Sequence, residues 1–225
     1  HPENLAIARI VVFYILWERT SVLQSVLNMA SLPPEMRVAP WGYDSFFHLI
    51  SFSSTSIYIA YYALYVAGLC AIAGLFTRLS TVVAVLSGFY FLGITSMFGK
   101  SDSAHFMIWF SAILCMSRCG DALSVDAVIK AWRTKKYMSI PDRVYGVPMR
   151  ILWILFGVLY FFPGLWKLMV GGDWFDVTFM SNKIYVHWFI DSYQPSFRID
   201  WHPWILWSAL VATVWAEMRM ILAVF

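Results

Sequence analysis

Charge is what this chain has least of. Lys, Arg, Asp and Glu make up 13% of 225 residues, against 60% hydrophobic and 19% aromatic residues. So few charges cannot coat a water-soluble domain of this size, and lipid is the expected solvent for most of the chain. Cysteine is scarce too, with only Cys70, Cys115 and Cys119. The last two lie one helical turn apart without the further ligands of a zinc site, and read as apolar packing thiols. No H-x-x-x-H or E-x-x-H pair accompanies His48, His187 and His202, so no metal is expected. Phosphate-binding loop, dinucleotide fingerprint and nucleophile elbow are all missing. The net charge is +3 and the basic residues gather in one loop rather than along a face. That excludes a nucleic-acid footprint and reads instead as a topology signal. The first apolar run lacks the basic start and small-residue exit of a cleavable signal peptide. Phe225 falls inside an apolar helix, so a longer parent chain is expected.

What is there is a succession of apolar runs. The first extends from about Asn4 to Asn28, interrupted by Arg9 and Glu18-Arg19, and stops at Pro33-Pro34, which cannot continue a helix. Residues 35–54, rich in aromatics, read as an interfacial segment. Spans follow at about Thr55–Phe76 and Leu79–Phe98, joined by a tight turn at Thr77-Arg78. A shorter run at Ala104–Met116 is capped by Asp102 or Ser103. The polar stretch from Arg118 to Arg150 holds a surface helix at Val125–Trp132. A fifth span covers about Val147–Val170, an outer loop with aromatic residues covers 171–202, and a sixth span starts near Pro203. The expected fold is all-α: a polytopic transmembrane helix bundle of about six spans plus short interfacial helices, forming one domain over residues 1–225.

If six spans alternate, Arg78 and the loop of about 118–150 share one face with eight Lys/Arg, against about four opposite. The positive-inside tendency makes that basic face cytoplasmic. The start of the fourth span and the end of the fifth then share the other face, toward lumen, periplasm or exterior. His105 and Lys167 become potential neighbours there.

Lys167 stands in Phe161-Phe162-Pro163-Gly164-Leu165-Trp166-Lys167-Leu168, followed by Gly171-Gly172-Asp173-Trp174. A lysine in a span costs roughly 2.5 to 3.5 kcal/mol at mid-membrane, and less near the interface, where it snorkels. Pro163 removes an amide and is expected to kink the helix and open a cavity before the lysine. Desolvation among aromatic side chains there would favour a neutral amine, able to act as a base. His105, in the first turn of its helix, is expected as a neutral hydrogen-bonding imidazole. Arg9 and Glu217, matched by depth, are expected to form a structural ion pair between the first and sixth spans. Arg219 snorkels, while Glu18 and Arg19 either line the outer cavity or rest at the interface. Trp166 and Trp174 fit an interfacial aromatic belt.

Gly74-Leu75-Phe76-Thr77-Arg78-Leu79-Ser80, then His105, then Leu123-Ser124-Val125-Asp126-Ala127, then Gly164-Leu165-Trp166-Lys167-Leu168 with Asp173-Trp174 occur in that order. Together they resemble the membrane domain of vitamin K-dependent gamma-glutamyl carboxylase and its microbial relatives, the HTTM (horizontally transferred transmembrane) family. The resemblance runs from Ala8-Arg9 to Glu217. It implies that Lys167 matches the lysine that deprotonates reduced vitamin K and that His105 matches a histidine of the same catalytic region. It further implies a carbon–carbon lyase chemistry in which hydroquinone oxidation by oxygen yields a strong base, with Trp166 and Trp174 beside the substrate. Arg9, Glu217 and Arg78 are structural polar residues in this scheme. The implied cofactor is reduced vitamin K or a related hydroquinone. The partners are the bilayer, a quinone-type lipid and a protein or peptide substrate on the non-cytoplasmic side. Two departures stand out: the large soluble region that holds the carboxylase's protein substrate is absent from these 225 residues, and the family's Lys-Lys-type step is Trp166-Lys167 here. The alternative is a non-catalytic membrane scaffold or assembly subunit that docks a partner through its outer loop.

Overall fold

The computed structural model describes residues 1–36, 38, 52–97, 105–135, 143–170 and 173–221. Among them the chain is all-helical, with one isolated bridge in which the Val38 amide donates to the Met97 carbonyl at 2.7 Å. The helices are α1 (Pro2–Glu18), α2 (Leu23–Ala30), α3 (Ser54–Ala73), α4 (Thr77–Ser96), α5 (His105–Cys115), α6 (Val125–Thr134), α7 (Arg143–Val170), α8 (Val177–Ile190) and α9 (Pro203–Met220). They fall into two compact units, His1–Met149 and Arg150–Phe225.

Among the described residues, four helical stretches are long and apolar enough to cross a membrane: Pro2–Ala30, Ser54–Ala73, Thr77–Ser96 and Arg143–Met169. They coincide with the expected first, second, third and fifth spans. The other two expected spans do not reach that standard. α5 has 11 residues, about 16 Å of helix against a hydrocarbon core of about 30 Å. α9 has 18 residues, but Glu217, Arg219 and three tryptophans dilute its apolar character. The surface helix expected at Val125–Trp132 is α6. Most of the interfacial segment expected at 35–54, and the cap expected at Asp102 or Ser103, lie outside the described residues.

In the first unit α3 and α4 pack as an antiparallel pair, α1 lies on α3, and α5 touches both α1 and α4. Leu5, Phe13, Leu16, Leu64, Phe91 and Leu114 are fully buried where these helices meet. The outward faces are as greasy as the inward ones: Ile59 on α3 is 66% exposed and Leu86 on α4 is 65% exposed. An apolar surface of this kind suits lipid contact. Several buried hydroxyls bond to carbonyls of their own helices, as suits a low-dielectric setting, while Ser96 Oγ has no partner among the described residues. Thr81 donates to the Thr77 carbonyl at 2.7 Å, Ser87 to Val83 at 2.6 Å and Ser111 to Met107 at 2.7 Å.

The tight turn expected at Thr77-Arg78 is shifted by a few residues. α3 ends on Gly74 in the left-handed region, φ 71°, and Phe76 follows at φ 44°. Thr77 and the exposed Arg78 already belong to α4. Gly74 is needed for space as well as conformation, since a Cβ there would overlap the Ser124 side chain and come within 2.8 Å of the Ser124 backbone.

Candidate functional site

The first unit contains a polar junction around that turn. Asp126, in the first turn of α6, accepts from the Phe76 amide at 3.0 Å, the Thr77 amide at 2.7 Å and the Thr77 hydroxyl at 2.8 Å. It thereby caps α4 from 50 residues away, using donors that a helix start leaves unpaired. Its own amide donates to the Gly74 carbonyl at 3.0 Å. Burial disfavours the Asp126 charge, but the Thr77 and Phe76 donors, aided by Arg9, outweigh it and hold the carboxyl below its ordinary value.

Arg9 completes this junction from α1. It is fully buried and donates from Nη1 to the Cys119 carbonyl at 2.7 Å and from Nη2 to the Leu123 carbonyl at 2.6 Å. The expected Arg9–Glu217 ion pair is therefore corrected: Arg9 serves backbone carbonyls, and Glu217 has another partner. Burial raises the Cys119 thiol above its usual value, so that sulfur sits in the junction as a packing group. Glu18 and Arg19, 3.8 Å apart, pair loosely with one another at a part-exposed site.

The second unit holds the lysine. α7 runs as one α-helix through Pro163 and presents Gly164 and Lys167 one turn apart on one face. Glu217 of α9 meets that face. Lys167 Nζ donates to Glu217 Oε1 at 2.6 Å, with side-chain exposures of 15% and 14%. Gly164 makes the approach possible, because a Cβ at that position would lie 2.9 Å from Glu217 Cβ. Glu217 Oε2 is buried and accepts from no group among the described residues. The Trp174 ring centroid is 5.0 Å from Lys167 Nζ and 4.2 Å from Lys183 Nζ, so the indole walls the site and carries a second cation.

The isolated amine in an aromatic cavity is thus corrected to an amine with a carboxylate partner and one aromatic wall. Of the expected site residues, Trp174 and Lys167 are brought together. Trp166 is 63% exposed and points elsewhere on α7. His105 opens α5 in the first unit, and its side chain lies outside the described residues. Arg219 stacks over Trp215 at 4.6 Å, on a different face from Glu217, as their two-residue separation requires.

Depth matching paired Glu217 with Arg9 because it set the first and sixth spans between common membrane planes. Glu217 lies fourteen residues beyond Pro203, about 21 Å along α9, whereas Lys167 is three residues from the end of α7. Pairing them offsets the two helices lengthwise, and α8 in the connection provides chain for that offset. The legible signal was Gly164, a small residue one turn from a lone lysine, which marks where another helix approaches closely.

The connection also forms a groove of about 600 Å³ lined by Tyr185, Trp188, Phe189, Tyr193, Gln194 and Arg198 among others. Arg198 is fixed by Asp200 through Nε–Oδ1 at 2.8 Å and Nη2–Oδ2 at 2.5 Å. This hydrogen-bonded pair raises the arginine and lowers the aspartate from their ordinary values. No group of three or more potential metal ligands occurs among the described residues. Comparison with protein-family models, curated proteins and solved structures finds no match to this chain.

Proposed function

We propose that this chain is an integral membrane enzyme of the carboxylase-like type, in which Lys167 takes a proton from a reduced quinone-type lipid and the oxidation of that lipid drives modification of a substrate. One observation supports this above the others: an amine in a span-length apolar helix, hydrogen-bonded to a carboxylate at 2.6 Å and faced by an indole ring. The order of motifs that resembles the vitamin K-dependent carboxylase gives the direction of the chemistry.

The residues suit a flat, lipid-soluble hydroquinone. Trp174 offers a ring face, Lys167 a nitrogen lone pair and Glu217 a carboxylate acceptor for one hydroxyl. Such a lipid, when bound, supplies the reducing equivalents that react with oxygen. Lys167 enters the step as the neutral amine, still donating one N–H to Glu217; its lone pair takes the hydroxyl proton at Nζ, and Glu217 balances the charge of the ammonium that results. His105 joins this proposal through the resemblance alone. The basic stretch of about 118–150 is taken as cytoplasmic, with the site toward the opposite side, where a protein or peptide substrate would be met.

The same ion pair favours a second reading, a non-catalytic scaffold in which Lys167–Glu217 only fastens α7 to α9. Lys167→Arg separates the two. Arginine can keep the pair with Glu217, but guanidinium does not release its proton at accessible pH. Oxygen uptake driven by reduced quinone in reconstituted membranes is expected to fall at least about a hundredfold in Lys167→Arg while the protein stays folded. Uptake equal to the parent in Lys167→Arg, or none by the parent, removes the enzyme reading.

A further inference from the structure

The unpaired oxygen of Glu217 is the feature that the ion pair leaves unexplained. Oε1 is engaged by Lys167, while Oε2 is buried with no donor among the described residues. Buried polar atoms are nearly always satisfied, and one that is not marks an absent partner or a functional group. Gly164 lets the carboxylate lie against the α7 backbone, 3.3 Å separating Oε2 from the position a Cβ would occupy. Lys167 restrains the other oxygen. The last torsion of a glutamate side chain is broad, so Oε2 can reorient toward a partner by a small rotation without breaking the lysine contact.

A carboxylate only accepts hydrogen bonds. A hydroxyl placed at Oε2 would satisfy it, whereas a carbonyl oxygen in the same place would set two acceptors against each other. Hydroquinone and quinone of one lipid share their ring outline and differ at just these atoms. We infer that Glu217 Oε2 accepts a hydroxyl of the bound ring and makes the site selective for the reduced over the oxidised form. This rests on the quinone-lipid reading proposed above. Glu217 becomes a specificity-determining residue, and the pair divides its work in sequence: Glu217 recognises the hydroxyl by accepting its hydrogen bond on binding, and Lys167 takes that same proton when it is lost.

The test is anaerobic equilibrium binding of 2-methyl-1,4-naphthohydroquinone and of its quinone to the protein in lipid nanodiscs. The parent is expected to bind the reduced form at least about tenfold more tightly, since a site built around a buried polar group discriminates against a ligand that cannot pair it. In Glu217→Gln, whose amide can donate as well as accept, the preference is expected to fall to about twofold or to reverse. Glu217→Asp, which keeps the charge but withdraws the carboxylate by one methylene, is expected to weaken the preference and serves if the glutamine variant does not fold. Equal binding of the two forms by the parent, or an undiminished preference in a folded Glu217 variant, overturns the role of Glu217 while sparing the quinone-lipid reading. Binding of neither form by the parent overturns both.

Discussion

Lys167 Nζ and Glu217 Oε1 are 2.6 Å apart, joining helices α7 and α9 across 50 positions of sequence. A pair so little exposed is held in register by geometry, and removing either partner alone strands the other in an apolar setting.

A double-mutant cycle measures that coupling. Lys167→Met and Glu217→Gln are each expected to cost about 2–4 kcal/mol, and the double variant to cost less than their sum by about 1–3 kcal/mol. Unfolding titrations in mixed detergent micelles give the four free energies, and strict additivity would deny the pair any energetic meaning.

Gly164→Ala probes the close approach. The new methyl would meet Glu217 Cβ at 2.9 Å, so α7 and α9 must separate or shift. A loss of about 1–3 kcal/mol is expected despite the better helix propensity of alanine. A thermal midpoint at or above the parent's would show that the approach is looser than described.

Asp126 links stability to pH. Its folded-state value lies below that of the unfolded chain, so its contribution is complete above the unfolded value of about 3.9 and fades as pH falls through the folded one. Asp126→Asn is expected to lose about 1 kcal/mol at pH 7, the usual worth of a helix cap, and to converge on the parent in strongly acidic buffer. Parallel melting curves from about pH 1 to pH 7 check both statements.

Arg9→Met removes two donors from the carbonyls of Cys119 and Leu123 and keeps an apolar side chain of similar reach. A cost on the order of 3 kcal/mol is expected, since each bond is made by a charged group and the acceptors lose their partner. Protease cleavage around residues 118–126 should accelerate in that variant, and unchanged cleavage would count against the junction.

Much of the helical layout was legible because apolar runs of span length leave few alternatives, and four of the expected spans stand where hydropathy put them. α6 stands where a surface helix was expected, and the structure adds its cap, the Ser124 side chain accepting from the Ala127 amide at 2.9 Å. Lys167 stood out because a charge in an apolar run demands a reason. Its partner did not, because Glu217 is set by the lengthwise offset of two helices, a tertiary quantity with no local trace. Arg9 shows the same limit. Its acceptors are backbone carbonyls, which every residue possesses and no sequence pattern advertises.

That arrangement at Arg9 also constrains the order in which the molecule can be made. A chain synthesised from its amino terminus delivers α1 early, whereas the carbonyls of Cys119 and Leu123 arrive 110 and 114 residues later. Until then the guanidinium must stay hydrated or borrow a temporary partner, so the first helix waits unfinished. Its final seat depends on the turn after α3, on Asp126 and on the start of α6 arriving together. The junction thus acts as a late closure, and a nascent chain halted before residue 124 would carry an exposed buried-type charge that quality-control machinery can recognise.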